Sequence, residues 1–164
     1  LLRSDVGCAA ALCRAAAEAA AMNVFVNTGL LTPDERNKLA ANIHGYDISP
    51  DMVRLSLVNL YLHGFTDPHV DEYDTLTSED KWNEHFDVIL ANPPFNISDW
   101  GGERLREDGR WRYGIPPAGN ANFAWLQHMI YHLAPGGRMG MVLANGSLSS
   151  QSGGEGEIRK NIVE

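Results

Sequence analysis

Asn92-Pro93-Pro94-Phe95 is the segment of this 164-residue chain whose side chains are best suited to chemistry. The two prolines fix two φ angles and supply no N–H, so the carbonyls of the turn can project from a rigid backbone instead of pairing within a sheet. Asn92 adds an acceptor and two donors, and Phe95 adds a flat apolar face. Together they suit a planar group bearing an amino substituent. Adenine carries such a group, but its exocyclic nitrogen is a poor nucleophile because the lone pair is delocalised into the ring. Acceptors on the Asn92 side chain and the Pro93 carbonyl would hold the amino hydrogens out of conjugation and localise that pair, and attack on a sulfonium methyl then becomes feasible. No strong base is required beforehand, since the proton becomes acidic only as the nitrogen acquires charge. The base must leave the duplex first, and stacking on Phe95 would offset part of that cost of a few kcal/mol. The alternative is a turn that is merely rigid, since such dipeptides commonly punctuate loops.

Asp47 marks a second candidate position. A carboxylate at the end of a strand that precedes a helix can accept hydrogen bonds from ribose hydroxyls, here those of S-adenosylmethionine. A turn or capping role is the competing reading. Asp74 and Asp87 are weaker candidates for the same side of the site. His63, His128 and His132 read as helix-surface or packing residues, and Met52 and Met141 as core. No spacing of His, Cys or acids suggests a metal site. The run from Glu103 to Asp108 reads as a solvated face, with phosphate contact by Arg104, Arg106, Arg110 or Arg112 as the alternative.

The elements that must position these residues alternate. Ala9 to Asn23 is rich in helix formers. Thr32-Pro33-Asp34-Glu35 has the form of a helix start, and a short helix to about Ala41 follows. Ile43 to Ile48 reads as a strand. Ser49-Pro50 opens a helix to Gly64, with Val53, Leu57, Leu60 and Tyr61 facing a sheet. His69 to Leu76 holds a short strand ending at Asp74. Phe86 to Ala91 reads as a strand buried on both faces, stopped by Pro93-Pro94. Ile97 to Gly119 is a long loop of the kind kept for function. Asn120 to Leu133 is helical, with Phe123, Leu126, Ile130 and Leu133 on one face, until Pro135-Gly136-Gly137 breaks it. Met139 to Ala144 is a strand, Asn145 to Gly154 a loop, and Glu155 to Glu164 a helix with no terminator. Such alternation implies an α/β fold with parallel strands and helices on both faces, and ligands at the carboxyl ends of the strands. Asp47 and Asn92 are both placed at such ends.

A chain of this length can bury one core, so residues 1–164 are taken as a single, partial domain. With 44% hydrophobic and 21% charged residues it fits a globular protein, and no apolar run approaches a membrane span. The Ala-rich start is interrupted by Arg14 and Glu18, so a helix fits it better than a signal peptide. Cys8 and Cys13 lack further ligand spacing, which suits a reduced, cytoplasmic setting. A formal net charge of -8 argues against gripping a nucleic acid backbone alone. Leu1 at the start and the open last helix read as a fragment.

From about Ile43 onward the chain resembles the modification (methyltransferase) subunit of type I restriction-modification systems. The matching blocks are Gly45-Tyr46-Asp47-Ile48, Ile89 to Asn96, Ser98-Asp99-Trp100-Gly101-Gly102 and Pro116 to Trp125. Asn145 to Ser149 and Gly154 to Lys160 extend them. The resemblance implies an incomplete, Rossmann-like sheet of the S-adenosylmethionine-dependent methyltransferase type acting on adenine in DNA. It also implies a specificity subunit that reads the sequence, and a restriction subunit that can join. On the family pattern Asn92, Pro93 and Phe95, with Pro94 between them, hold the base, and Asp47 contacts the cofactor ribose.

One departure stands out. The family's cofactor loop of the Asp-Pro-x-Cys-Gly-Ser-Gly-Gly type is represented here by Asp5-Val6-Gly7-Cys8-Ala9-Ala10-Ala11. Asp5 and Cys8 align, but alanines replace the glycines, and alanine does not enter positive φ cheaply. Two other functions therefore stand beside the main one: a non-catalytic module that binds partner subunits, and a methyltransferase for the side-chain amide of protein glutamine.

Overall fold

The computed structural model describes residues 32–78 and 85–164. Asp5, the cysteines and the helix expected over Ala9 to Asn23 lie outside the described residues. The chain forms two compact units, Leu1–Thr75 and Leu76–Glu164.

In the first unit, Thr32 starts helix α1 (Pro33–Ala40) through a reciprocal capping box. Its Oγ1 accepts from the Glu35 N–H at 3.3 Å, while Glu35 Oε2 accepts from the Thr32 N–H at 2.8 Å. Strand β1 (His44–Asp47) leads through Ser49 into α2 (Pro50–Leu62), whose first residue is the proline that a helix start tolerates. Strand β2 (His69–Glu72) then pairs with β1 in parallel, from His44 opposite His69 to Asp47 opposite Glu72. Helix α2 is the crossover between them and packs on both strands. Val53, Leu57 and Leu60 are half-buried on its inner stripe, but Tyr61 and Met52 are 54% and 45% exposed. Met52 is therefore not a core residue: a two-stranded sheet covers only a narrow strip of helix. β2 also stops at Glu72, short of Asp74.

In the second unit, β3 (Phe86–Ala91) pairs in parallel with β4 (Leu133–Met141), and α3 (Asn122–Tyr131) lies between them in sequence and packs on β4. A 3₁₀ turn (Ser152–Gly154) leads into α4 (Glu155–Val163). Two details depart from expectation. β3 is not buried on both faces: none of its residues is fully buried, and Val88 and Leu90 are exposed at 64% and 68%. Pro135-Gly136-Gly137 lies inside β4 as an irregularity, where the register jumps from Phe86–Leu133 to Val88–Arg138. Met141, at the end of β4, is half-buried.

The centre of this unit comes from the loop between β3 and α3. Trp100 and Trp111 meet edge to face at 5.9 Å between ring centroids and cluster with Leu76, Ala121 and Ala124. Gln127, on α3, is fully buried and clamps the loop: its Oε1 accepts from the Tyr113 N–H at 3.0 Å and its Nε2 donates to the Gly114 carbonyl at 2.8 Å. Among the described residues no helix is long and apolar enough to cross a membrane.

Candidate active site

β3 ends at Ala91, and its last carbonyl accepts from the Val142 N–H at 3.1 Å. The ladder stops there because the prolines that follow Asn92 have no N–H to continue it. Asn92 is exposed at this carboxyl end, Pro93 is buried, Pro94 is exposed, and the Phe95 ring is 42% exposed. A rigid, anchored turn thus presents one amide and one aromatic face outward.

The anchor is a set of asparagines beyond the turn. Asn96 has φ of 55°, a left-handed conformation that asparagine tolerates better than most residues. Its N–H donates to Asn122 Oδ1 at 3.0 Å, and Asn122 Nδ2 donates back to Asn96 Oδ1 at 3.0 Å and to Ser147 Oγ at 3.3 Å. Asn120 Oδ1 accepts from the Asn122 N–H at 2.9 Å, at the first turn of α3. Asn122 is only 3% exposed. One buried amide therefore joins the turn after β3, the start of α3 and the loop after β4. Arg159 of α4 holds the same loop by donating to the Ser147 carbonyl at 3.0 Å.

Asp47 sits half-buried at the carboxyl end of β1, and its Oδ1 accepts from the Ser49 N–H at 2.7 Å. That bond makes the turn into α2, so the turn role is present at this carboxylate, while the N-cap of α2 is Ser49, which makes no side-chain capping bond. Asp74 is half-buried two residues past β2. Asp47 and Asp74 belong to the first unit, and Asn92 to Phe95 belong to the second.

Arg110 is placed differently from expectation. It is 1% exposed, so it is neither solvated nor a phosphate ligand. Its guanidinium meets Asp108 through Nε at 2.9 Å and Nη2 at 2.7 Å, the two-pronged geometry that suits arginine. It also donates to the Leu76 carbonyl at 3.0 Å and contacts His128 Nδ1 at 3.0 Å. Burial, with electrostatic opposition from His132 and the Arg110 guanidinium, pushes His128 down to about 3. His128 is therefore neutral near pH 7, and Nδ1 can accept from Arg110. Burial raises the Asp108 carboxyl, but the Arg110 hydrogen bonds more than offset it and the net direction is down. Arg104, Arg106 and Arg112 are exposed. Among the described residues no cluster of three or more His, Cys or acidic side chains could hold a metal ion.

The sequence reading missed Asn96 and Asn122 as parts of the site. The available signal was the recurrence of asparagine at 96, 120, 122 and 145, in the loops after two strands and around the start of a helix.

A family model described as N-6 DNA Methylase matches residues 15–164. The methylase subunit of the type I restriction enzyme HindI of Haemophilus influenzae is 45% identical over 142 residues, which is 85% of this chain and 32% of that protein. The MjaIX methylase subunit of Methanocaldococcus jannaschii is 43% identical over 130 residues, 75% of this chain and 23% of that protein. Among solved structures, the methyltransferase subunit of a type I restriction-modification system from Streptococcus thermophilus superposes with a TM-score of 0.65 at 29% identity. That match covers 73% of this chain and 27% of the other. The chain thus spans about a quarter to a third of the length of these relatives.

Proposed function

This chain belongs to the N-6 DNA methylase family, and on that premise we propose that the protein transfers a methyl group from S-adenosylmethionine to the exocyclic amino group of adenine in DNA. It does so as the modification subunit of a type I restriction-modification complex in the cytoplasm. A specificity subunit reads the DNA sequence and a restriction subunit can join. The formal net charge of -8 supports this division of labour, because a partner must supply the positive surface that holds the duplex.

The observation that carries the reading is the exposed pair Asn92 and Phe95 on a turn fixed at the carboxyl end of a parallel strand. Asn92 Oδ1 and the Pro93 carbonyl accept the two amino hydrogens and draw the nitrogen lone pair out of the ring. Pro94 keeps the turn rigid, and Phe95 stacks on the base once it has left the duplex. S-adenosylmethionine, when bound, supplies an electrophilic methyl group. Asp47 has the acceptor chemistry for its ribose hydroxyls, and its place at the end of β1 suits that role. Asp74 and Asp5 are the further acids on the cofactor side.

The test uses the full-length protein in its complex. Asn92→Ala should lower methyl transfer to duplex DNA by at least about a hundredfold, the scale seen when one preorganised hydrogen-bonding group is lost at a reacting centre, and Phe95→Ala, which removes the stacking face, should lower it as well. S-adenosylmethionine affinity, followed by calorimetry, should stay within a few-fold of the parent. Near-normal transfer by both variants would remove the site assignment. Transfer to a protein glutamine amide in place of DNA would replace the substrate.

A further inference from the structure

Beside the Asn92-to-Asn96 turn lies a recess of about 200 Å³. We propose that it is a second nucleobase subsite, which takes the amino edge of a cytosine-type base other than the base that is methylated. The proposal rests on the reading of DNA as the substrate.

The walls decide the chemistry of the occupant. They are formed by Asn96, Asn120, Asn122, Asn145, Ser147 and Glu155, with Gly146 and Ser150. No lysine or arginine lines the recess, and one carboxylate does, so a phosphate would meet repulsion with no countercharge. No apolar side chain lines it either, so an aliphatic group would strand the amides without partners. What remains is a polar group that donates hydrogen bonds. The volume corresponds to roughly seven waters at about 30 Å³ each, or to one small planar ring.

Glu155 narrows the choice. It is the first residue of α4, is 2% exposed, and its Oε1 is enclosed without a hydrogen-bond partner. The neighbouring amides are committed differently: both Nδ2 hydrogens of Asn122 go to Asn96 and Ser147 and its Oδ1 accepts from the Asn96 N–H, so it serves as scaffold. An enclosed carboxylate oxygen with no donor is destabilising, so a ligand that brings a donor regains that loss on binding. A carboxylate is the natural acceptor for the cytosine amino group, and asparagine amides can donate to the acceptors beside it on the same edge. The recess shares Asn96 with the turn that carries Asn92, so a base held here stays close to the chain segment that presents the methylated one.

The experiment compares two single-stranded probes on the full-length protein by fluorescence anisotropy. One is an oligodeoxycytidine, and the other is the same-length oligomer of the 2-pyrimidinone deoxynucleoside, which lacks only the amino group. The parent protein should prefer oligodeoxycytidine by about tenfold, the scale of one charge-assisted hydrogen bond. Glu155→Gln should lose most of that preference, while Asn92→Ala should keep it. Equal binding of the two probes by the parent protein overturns the proposal even if the Glu155 variant fails to fold. So does a preference that survives Glu155→Gln, or one that disappears in Asn92→Ala, since the amino group would then sit at the turn. Because neither probe contains adenine, these outcomes are independent of whether the parent complex methylates adenine in duplex DNA.

Discussion

Asn122 is the residue through which a small change should reach the chemistry without touching the substrate. It accepts from the Asn96 N–H and donates to both Asn96 and Ser147 from a site 3% exposed. Asn122→Ala removes all three bonds and leaves buried groups unsatisfied, at a cost of about 2–3 kcal/mol. In the full-length complex we expect kcat for methyl transfer to fall at least about tenfold, since a displacement of about 1 Å at a positioned group is worth more than that. S-adenosylmethionine affinity should hold, because Asn122 belongs to the turn's anchor. Asn122→Asp restores only the acceptor for the Asn96 N–H and should recover little. Steady-state methylation with unchanged kcat in Asn122→Ala would show that the turn is rigid on its own. The contrast with Asn92 explains what could be read from sequence. Asn92 announces itself because its proline neighbours force a turn just past an apolar strand. Asn122 has its partners 26 and 25 residues away, and nothing local to an asparagine records where its amide points.

At the scale of elements, the β4 irregularity gives the sharpest expectation. Pro135-Gly136-Gly137 has the composition of a break, and the structure uses it as an interruption inside a strand, with Gly136 at φ of 81°. The backbone is tight at the next glycine: a Cβ on Gly137 would lie 2.9 Å from the Ala134 carbonyl oxygen and 3.0 Å from that of Asp87. Backbone atoms cannot step aside as a flexible side chain can, so Gly137→Ala should cost about 1–3 kcal/mol, read as a lower urea midpoint. An unchanged midpoint would mean that the strand re-registers around the insertion. The starts of α1 and α2 were legible to the residue because their signals are local, Thr32 with Glu35 and the prolines at 33 and 50, whereas α3 begins at Asn122 and not at Asn120. Strand burial was not legible. The apolar run of β3 looks like a strand covered on both faces, yet Val88 and Leu90 are exposed, because coverage depends on the neighbours of the strand and not on its own residues.

For the molecule as a whole, composition predicted an apolar core in a folded α/β chain, and the second unit has one but sets a buried charge beside it. Arg110 and Asp108 come from the loop between β3 and α3, which contains no regular element, and they meet His128 of α3, with the Arg110 guanidinium 5.0 Å from the Trp111 ring centroid. Periodicity cannot find such a cluster, since the loop has no period, and Arg110 looks identical in sequence to its exposed neighbours. The arrangement makes stability depend on pH in a defined direction. His128 protonates near its ordinary 6.5 in the unfolded chain but only at about 3 in the fold, so unfolding takes up a proton between those values. Its contribution is therefore complete above about pH 6.5 and is lost as pH falls toward 3, at no more than ~1.4 kcal/mol per pH unit. Asp108, whose folded carboxyl is held below its ordinary 3.8, adds to the loss only at the acid end. The urea midpoint should thus drop steadily from pH 7 to pH 5, and His128→Gln, which keeps an acceptor for Arg110, should flatten that slope even if it lowers the midpoint at pH 7. A slope that is the same in His128→Gln as in the parent would place the acid sensitivity elsewhere in the chain.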